Sequence, residues 1–394
     1  MVCSKCCESL ICYSENISLA TKYTVAKWFY LCGFIITSVL TWILRDYANH
    51  WFENNTASFA LCRDSAYAGV CGGQEVAIRI SFANFCYFAL HAVVLMFIKQ
   101  EEDPRTQLHG SFWLWKALLW SGVLVGFFFV PSQALFGYAQ VARIGSGIFL
   151  VLQLVLLIHF LYEVNEWLVS KEERWSWALL VLGAFVAFTL GLLLIGLSYY
   201  YFAPSGDCSM NMFFITWSII IMLALIGVLF IPNKAQTAGL MTSGAVFLYC
   251  SFLLYSALNS EPSGSQCIRG EGGSSSWIQI VAFFIGLATV IYSALSAGLS
   301  GGDMMGHGHG MDEKEGEIPY RADFFHVVFA LASMYIAMLF TDWQVSSSST
   351  SYELDNGWIS TWVKMVSKWV CELLYLWTVV APALFPNRDF SYTA

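Results

Sequence analysis

Charge is scarce in this chain: Asp, Glu, Lys and Arg make up 12% of its 394 residues, against 58% hydrophobic. So little polarity cannot cover a water-soluble protein of this length, which excludes a soluble globular domain and points to a membrane. The apolar runs also lack period-2 alternation and are too long for barrel strands, so their backbone polar groups must be satisfied within α-helices. There is no Walker loop, no dinucleotide fingerprint after a strand and no HExxH, so nothing positive points to an enzyme or a cofactor. No basic patch accompanies the net charge of −8, and nucleic acid is not an expected partner. A cleavable-looking signal is missing too, because the first apolar run follows a polar stretch of about two dozen residues.

What is present is a series of about ten mostly apolar segments of spanning length. They lie at 25–44, 78–98, 112–130, 134–167, 175–202, 212–231, 235–258, 277–299, 324–340 and 359–385, mostly flanked by Trp, Tyr or charge as interfacial anchoring expects. The expected fold class is therefore an all-α polytopic membrane protein, a single integral membrane domain over 1–394. Within it, 1–24 is a Cys-rich cytosolic N-terminus and 25–133 holds helices 1 to 3 with an outer loop at 45–77. The fourth helix follows at 134–168, helices 5 to 8 at 175–299, a flexible cytosolic loop at 300–321, and helices 9 and 10 with a short tail at 322–394. Counting Lys and Arg by side gives about twelve against six in favour of both termini in the cytosol.

Cysteine placement agrees with that topology. Cys62, Cys71, Cys208 and Cys267 all fall in outer loops, where disulfides form, and the short separation favours Cys62 with Cys71. Asn54, in the sequon Asn54-Asn55-Thr56, lies in the same first outer loop and is the candidate glycosylation site. Cys3, Cys6, Cys7 and Cys12 sit on the cytosolic side, where acylation, a zinc site and unmodified thiols are all open readings. His307 and His309, two histidines on a Gly-rich loop without further ligands, do not make a metal site.

The costliest residues are the polar ones inside the apolar segments, and each is a candidate functional position. The fourth segment has the densest set. Counted at about 100° per residue from Gln133, Gln140 and Arg143 lie near 340° and 280°, whereas Glu166, His159 and Glu163 lie near 60°, 80° and 120°, with Gln153 apart near 200°. The polarity thus turns from one face to another along the helix. At about 50 Å the segment also exceeds the about 30 Å of hydrocarbon, so a steep tilt between two helical groups is expected. Pro131, Gly145 and Gly147 are possible breaks. In the ninth segment Asp323 and His326 share a face, and in the tenth Lys364, Lys368 and Glu372 are spaced by four, so that Lys368 and Glu372 can pair. Each set is equally consistent with interhelical glue.

The runs RIGSGIFLVLQLVLLIHFLYEVNEW, FFHVVFALASMYIAMLFTDW and WVKMVSKWVCELLYLWTVVAPALFPNRDF, with the opening MVCSKCC and YFALHAVV, resemble the serine incorporator family. The likeness runs from Cys3 to Phe390. It implies ten membrane helices in two bundles bridged by a long diagonal fourth helix. It also implies phospholipid binding and scrambling between leaflets, or a carrier or scaffold supplying serine to the enzymes of phosphatidylserine and sphingolipid synthesis, in the endomembrane system or plasma membrane. Gln153, Asn165, Glu166, Phe324, Phe325, His326 and Lys364 match the family pattern. His159 departs from it, standing where members generally carry an acid, with Glu163 one turn later. A structural protein that organises lipids without moving them is the remaining reading.

Overall fold

The computed structural model describes residues 19–46, 73–98, 100, 102–235, 238–261, 267, 288, 318, 320–341 and 358–385. The N-terminal cysteines, Asn54, Cys62, Cys71, nearly all of the eighth apolar segment and most of the 300–321 loop lie outside them. The helices are α1 (Leu19–Asp46), α2 (Gly73–Val94), α3 (Pro104–Gly110), α4 (Trp113–Gly126), α5 (Ser132–Ser170), α6 (Arg174–Phe202), α7 (Ser209–Gly227), α8 (Leu240–Asn259), α9 (Ala322–Phe340) and α10 (Trp358–Leu384). Seven of them, α1, α2 and α5 to α9, are long and apolar enough to cross a membrane. The pair α3 and α4, bent by 70°, makes an eighth span if taken together. The chain is an all-α polytopic membrane protein. Apolar side chains turned outward on α6, such as Val181, Leu182, Phe185 and Leu193, are what a lipid-facing helix requires.

The chain forms two compact units. Unit 1 comprises Met1–Phe149 and Phe283–Leu354, and unit 2 comprises Leu150–Ala282 and Asp355–Ala394. In unit 1, α9 lies along α2. Small residues allow the approach: Ser81 of α2 donates to the Ser333 carbonyl of α9 at 2.6 Å and also meets Tyr138 OH of α5 at 2.7 Å. Arg79 of α2 is fully buried. It pairs with Glu75 at 2.5 Å and donates to the carbonyls of Phe127 and Val130 at 2.8 and 2.7 Å, so it satisfies backbone left open where α4 ends.

In unit 2, α8 is central, packed on α6, α7 and α10. Its core joins Leu154, Ile158 and Leu161 of α5 to Phe214, Phe247, Leu254, Met365 and Tyr375. Gly191 lets α6 approach, since a Cβ there would sit 2.4 Å from the Phe247 ring. Cys208, just before α7, is disulfide-bonded to Cys267 with Cα atoms 5.6 Å apart. Both α4 and α7 run into a three-residue 3₁₀ turn, Phe127–Phe129 and Val228–Phe230. Each turn follows a glycine and precedes Val-Pro or Ile-Pro, where proline cannot continue the helix.

The breaks differ from the expected ones. α5 is one continuous helix of 39 residues, about 58 Å at the usual rise, and Gly145 and Gly147 lie inside it. Gly145 serves packing instead, because a Cβ there would meet Met334 Sδ of α9 at 1.9 Å. Pro131 stands just before α5, its carbonyl accepting from the amides of Ala134 and Leu135. The bent pair is α3 and α4, joined through Ser111 and Phe112, the latter at φ 64° in the left-handed region.

Candidate functional site: an apolar groove backed by histidines and tyrosines

The polar residues of α5 follow its packing. In the half that belongs to unit 1, the buried residues Leu135, Tyr138, Ala142, Ser146 and Phe149 centre near about 180° on the scale used above. In the half that belongs to unit 2, Leu154, Ile158 and Leu161 enter the core near about 300°. Gln140 and Arg143 sit away from the packed face of the first half, and His159, Glu163 and Glu166 away from that of the second, so for these five the turn in polarity mirrors the turn in packing. Arg143 donates to Gln140 at 3.0 Å, and His159 lies 3.6 Å from Glu163. His159 is 32% exposed, so it is not the deeply buried group its apolar neighbours suggest. Glu166 is exposed, whereas Asn165 is buried against Gly239, and Gln153 is buried with its Oε1 lacking a partner.

Of the remaining sequence candidates, those on α10 have partners within unit 2. Lys364 donates to Ser260 Oγ at 2.7 Å and to the Ser256 carbonyl. Lys368 and Glu372 form the expected i, i+4 pair at 2.5 Å, both buried, and Trp217 of α7 donates to Glu372 at 3.3 Å. On α9 the shared face separates into two roles. Asp323 pairs with Arg321 at 2.8 Å and accepts from the Phe324 amide at the helix start, where a carboxylate is favoured. His326 turns into the core of unit 1, as does Phe325.

What sequence reasoning missed lies in unit 1. Between α1 and α4 an apolar groove of about 680 Å³ opens sideways, lined by Val25, Trp28, Cys32, Ile36 and Leu40 on one wall and Ala117, Trp120 and Leu124 on the other. The α1 residues recur at three- and four-residue spacing and so form one stripe. From Val25 to Leu40 the stripe is about 22 Å long, enough for one leaflet's share of an about 30 Å hydrocarbon core. Trp28 and Ile36 are 54% and 65% exposed, which leaves the groove open along its side. Its floor is set by Gly33, where a Cβ would come within 2.1 Å of the Trp120 ring. Trp120 Nε1 donates to Asn84 at 2.8 Å, Asn84 donates to Thr37 at 3.0 Å, and the Tyr87 ring stacks on Trp120 at 4.9 Å.

Behind Trp120 and Tyr87 lies a buried cluster of His91, His109, His326, Tyr23, Tyr30 and Lys116, with Tyr320 beside it. The Tyr320 hydroxyl donates to the Tyr23 carbonyl at 3.1 Å and meets His109 Nε2 at 2.8 Å. His109 Nδ1 meets His326 Nε2 at 3.2 Å. His91 Nδ1 donates to the Tyr87 carbonyl at 2.8 Å. Lys116, in the first turn of α4, donates to the His109 carbonyl at 2.7 Å, where the short helix α3 ends, and lies over the rings of Trp113 and Tyr30. Burial pushes the Tyr320 phenol well above its ordinary pKa, with Tyr23 adding to the effect, so the hydroxyl keeps its proton. Among the described residues no group of three or more His, Cys, Asp or Glu side chains is placed to hold a metal ion.

The family model described as Serine incorporator (Serinc) matches residues 1–306 and 300–388. The chain belongs to the serine incorporator family. A "Probable serine incorporator" of Dictyostelium discoideum is 32% identical, with 95% of this chain and 97% of that protein covered. Serine incorporator 3 of Bos taurus is 29% identical over 79% of each chain, and Serine incorporator 2 of Mus musculus is 26% identical over 99% of this chain and 97% of its own. These relatives are named as incorporators. In this serine incorporator family member the break between α3 and α4 brings His109 and Lys116 together. The seven residues of α3 belong to none of the expected apolar segments, and the sequence signal for them is the Asp103-Pro104 pair: Asp103 accepts from the Arg105 amide and Pro104 opens the helix.

Proposed function

We propose that this chain binds membrane phospholipids in the groove between α1 and α4 and scrambles them passively between leaflets, without bond-making chemistry. The groove carries the reading: it is apolar, laterally open and of acyl-chain length, and lipid tails are the apolar ligand a membrane supplies. Five polar residues of α5, the half-buried Gln140, Arg143 and His159 and the exposed Glu163 and Glu166, are assigned to headgroup contact. The excess of Lys and Arg on one side of the sequence supports cytosolic termini in an endomembrane or plasma membrane.

Purified protein in phosphatidylcholine vesicles carrying a tail-labelled phospholipid tests this. The label should exchange between leaflets faster than in protein-free vesicles, and Ile36→Trp, which plugs the groove from its exposed wall, should slow exchange severalfold with the melting temperature kept. Exchange at the protein-free rate would overturn the reading. The runner-up is a serine carrier, favoured by the relatives' names and by the α3–α4 break, since discontinuous helices often frame substrate sites. Serine uptake by the same vesicles without lipid exchange would establish it instead.

A further inference from the structure

We propose that the His91, His109 and His326 cluster is a proton-binding site that gates lipid entry to the α1–α4 groove, an inference that rests on the lipid reading above. The hydrogen bonds fix the direction of a relay. Tyr320 has one hydroxyl proton and gives it to the Tyr23 carbonyl, so its oxygen accepts from His109 Nε2–H. His109 Nδ1 is then a lone pair and accepts from His326 Nε2–H. The relay ends on His326 Nδ1, a fully buried lone pair that no described group meets. The hydroxyls of Tyr30 and Tyr87 are likewise buried without partners, and the Tyr30 and His326 rings lie 4.6 Å apart. A proton is the one ligand that this lone pair can take without a cavity.

The surroundings decide what the proton does. α1 contributes Tyr23, Tyr30 and, over the Tyr320 ring, Lys27; α2 contributes Tyr87 and His91; α3 contributes His109; α4 contributes Lys116. On α9 the nearest carboxylate, Asp323, is engaged by Arg321. A protonated His326 therefore adds positive charge beside Lys116 with no carboxylate bonded to either, and like charges in an apolar cage repel strongly. Lys116 sits on α4, the helix that supplies the Trp120 wall of the groove, and Tyr87 links the histidines to that wall by stacking. Relief by moving the start of α4 away from α1 widens the groove.

Cys32 reports the groove independently of lipid transfer, being exposed on its α1 wall. In vesicles, its modification by a membrane-permeant maleimide would be followed by peptide mass mapping from pH 8 to pH 5, as the ratio of wild type to His326→Gln. That ratio cancels the thiol's own ionisation. It should stay near one at pH 8 and rise about tenfold by pH 5, the change that one unit of differential protonation produces. A flat ratio overturns the gate. If His326→Gln is not recovered folded, His326→Asn, which also lacks the imidazole lone pair, carries the same expectation. Lipid exchange measured alongside separates the two ideas: a rising Cys32 ratio without exchange at any pH keeps the proton site and sinks the lipid reading, whereas exchange that ignores pH with a flat ratio does the reverse.

Discussion

Units 1 and 2 differ in how they hold their buried cations. On α10 of unit 2 the charged side chains are closed off: Lys368 with Glu372, Lys364 with Ser260, and the nearby Tyr375 hydroxyl with Thr242 and Ser243, both at 2.9 Å. Among the described residues unit 1 also closes Arg79 with Glu75, and toward the other ends of α2 and α4 it holds a histidine and tyrosine cluster in which no carboxylate pairs Lys116 and in which the Tyr30 and Tyr87 hydroxyls and His326 Nδ1 go unmet. Closed sets glue helices together. Open ones cost stability and persist where they do something else, which is why the groove with the open cluster behind it is the better candidate for function.

The sharpest way to break that contrast is to open the closed set. Glu372→Leu strands Lys368 in the core of unit 2, and removing one partner of a buried pair costs about 3 to 5 kcal/mol. Thermal unfolding should show a large drop, most of it recovered by the double change Lys368→Met with Glu372→Leu. If the single change is as stable as wild type, unit 2 is not held in this way. Next in size is Cys208→Ser, which removes the link to Cys267 across 59 residues. A loss of about 2 to 4 kcal/mol is expected, with lipid exchange per folded molecule unchanged. The smallest effect belongs to Asp103, whose carboxyl Arg105 holds below the usual range through side-chain and backbone hydrogen bonds. A depressed carboxylate stabilises above its unfolded pKa, near 4, and the contribution is lost as pH falls through the lower folded value. Asp103→Asn should therefore match wild type only in strong acid, and a difference that persists there would contradict the assignment.

Much of this was legible in the sequence. Hydropathy located the described long helices to within about six residues, because a spanning helix must be apolar over its whole length, and i, i+4 spacing found Lys368 with Glu372. The turning polarity of α5 was visible before its cause was: the helix packs a different face in each unit. The groove was not legible, since it depends on Gly33 receiving Trp120 from a helix about ninety residues away in sequence, and hydropathy has no register. His109 fell outside any apolar run, and only the α3–α4 break carries it to His326.

The central claim is that unit 1 holds lipid in a defined groove, whereas the apolar face of α6 only touches the bilayer. Photocrosslinking with a phospholipid carrying a diazirine midway along its acyl chain, followed by peptide mapping, measures that directly. The account predicts adducts concentrated on Trp28 to Leu40 and Ala117 to Leu124, reduced by Ile36→Trp, and exceeding those on the exposed α6 residues Val181 to Leu193. Equal labelling of the two surfaces, unaffected by Ile36→Trp, would contradict it.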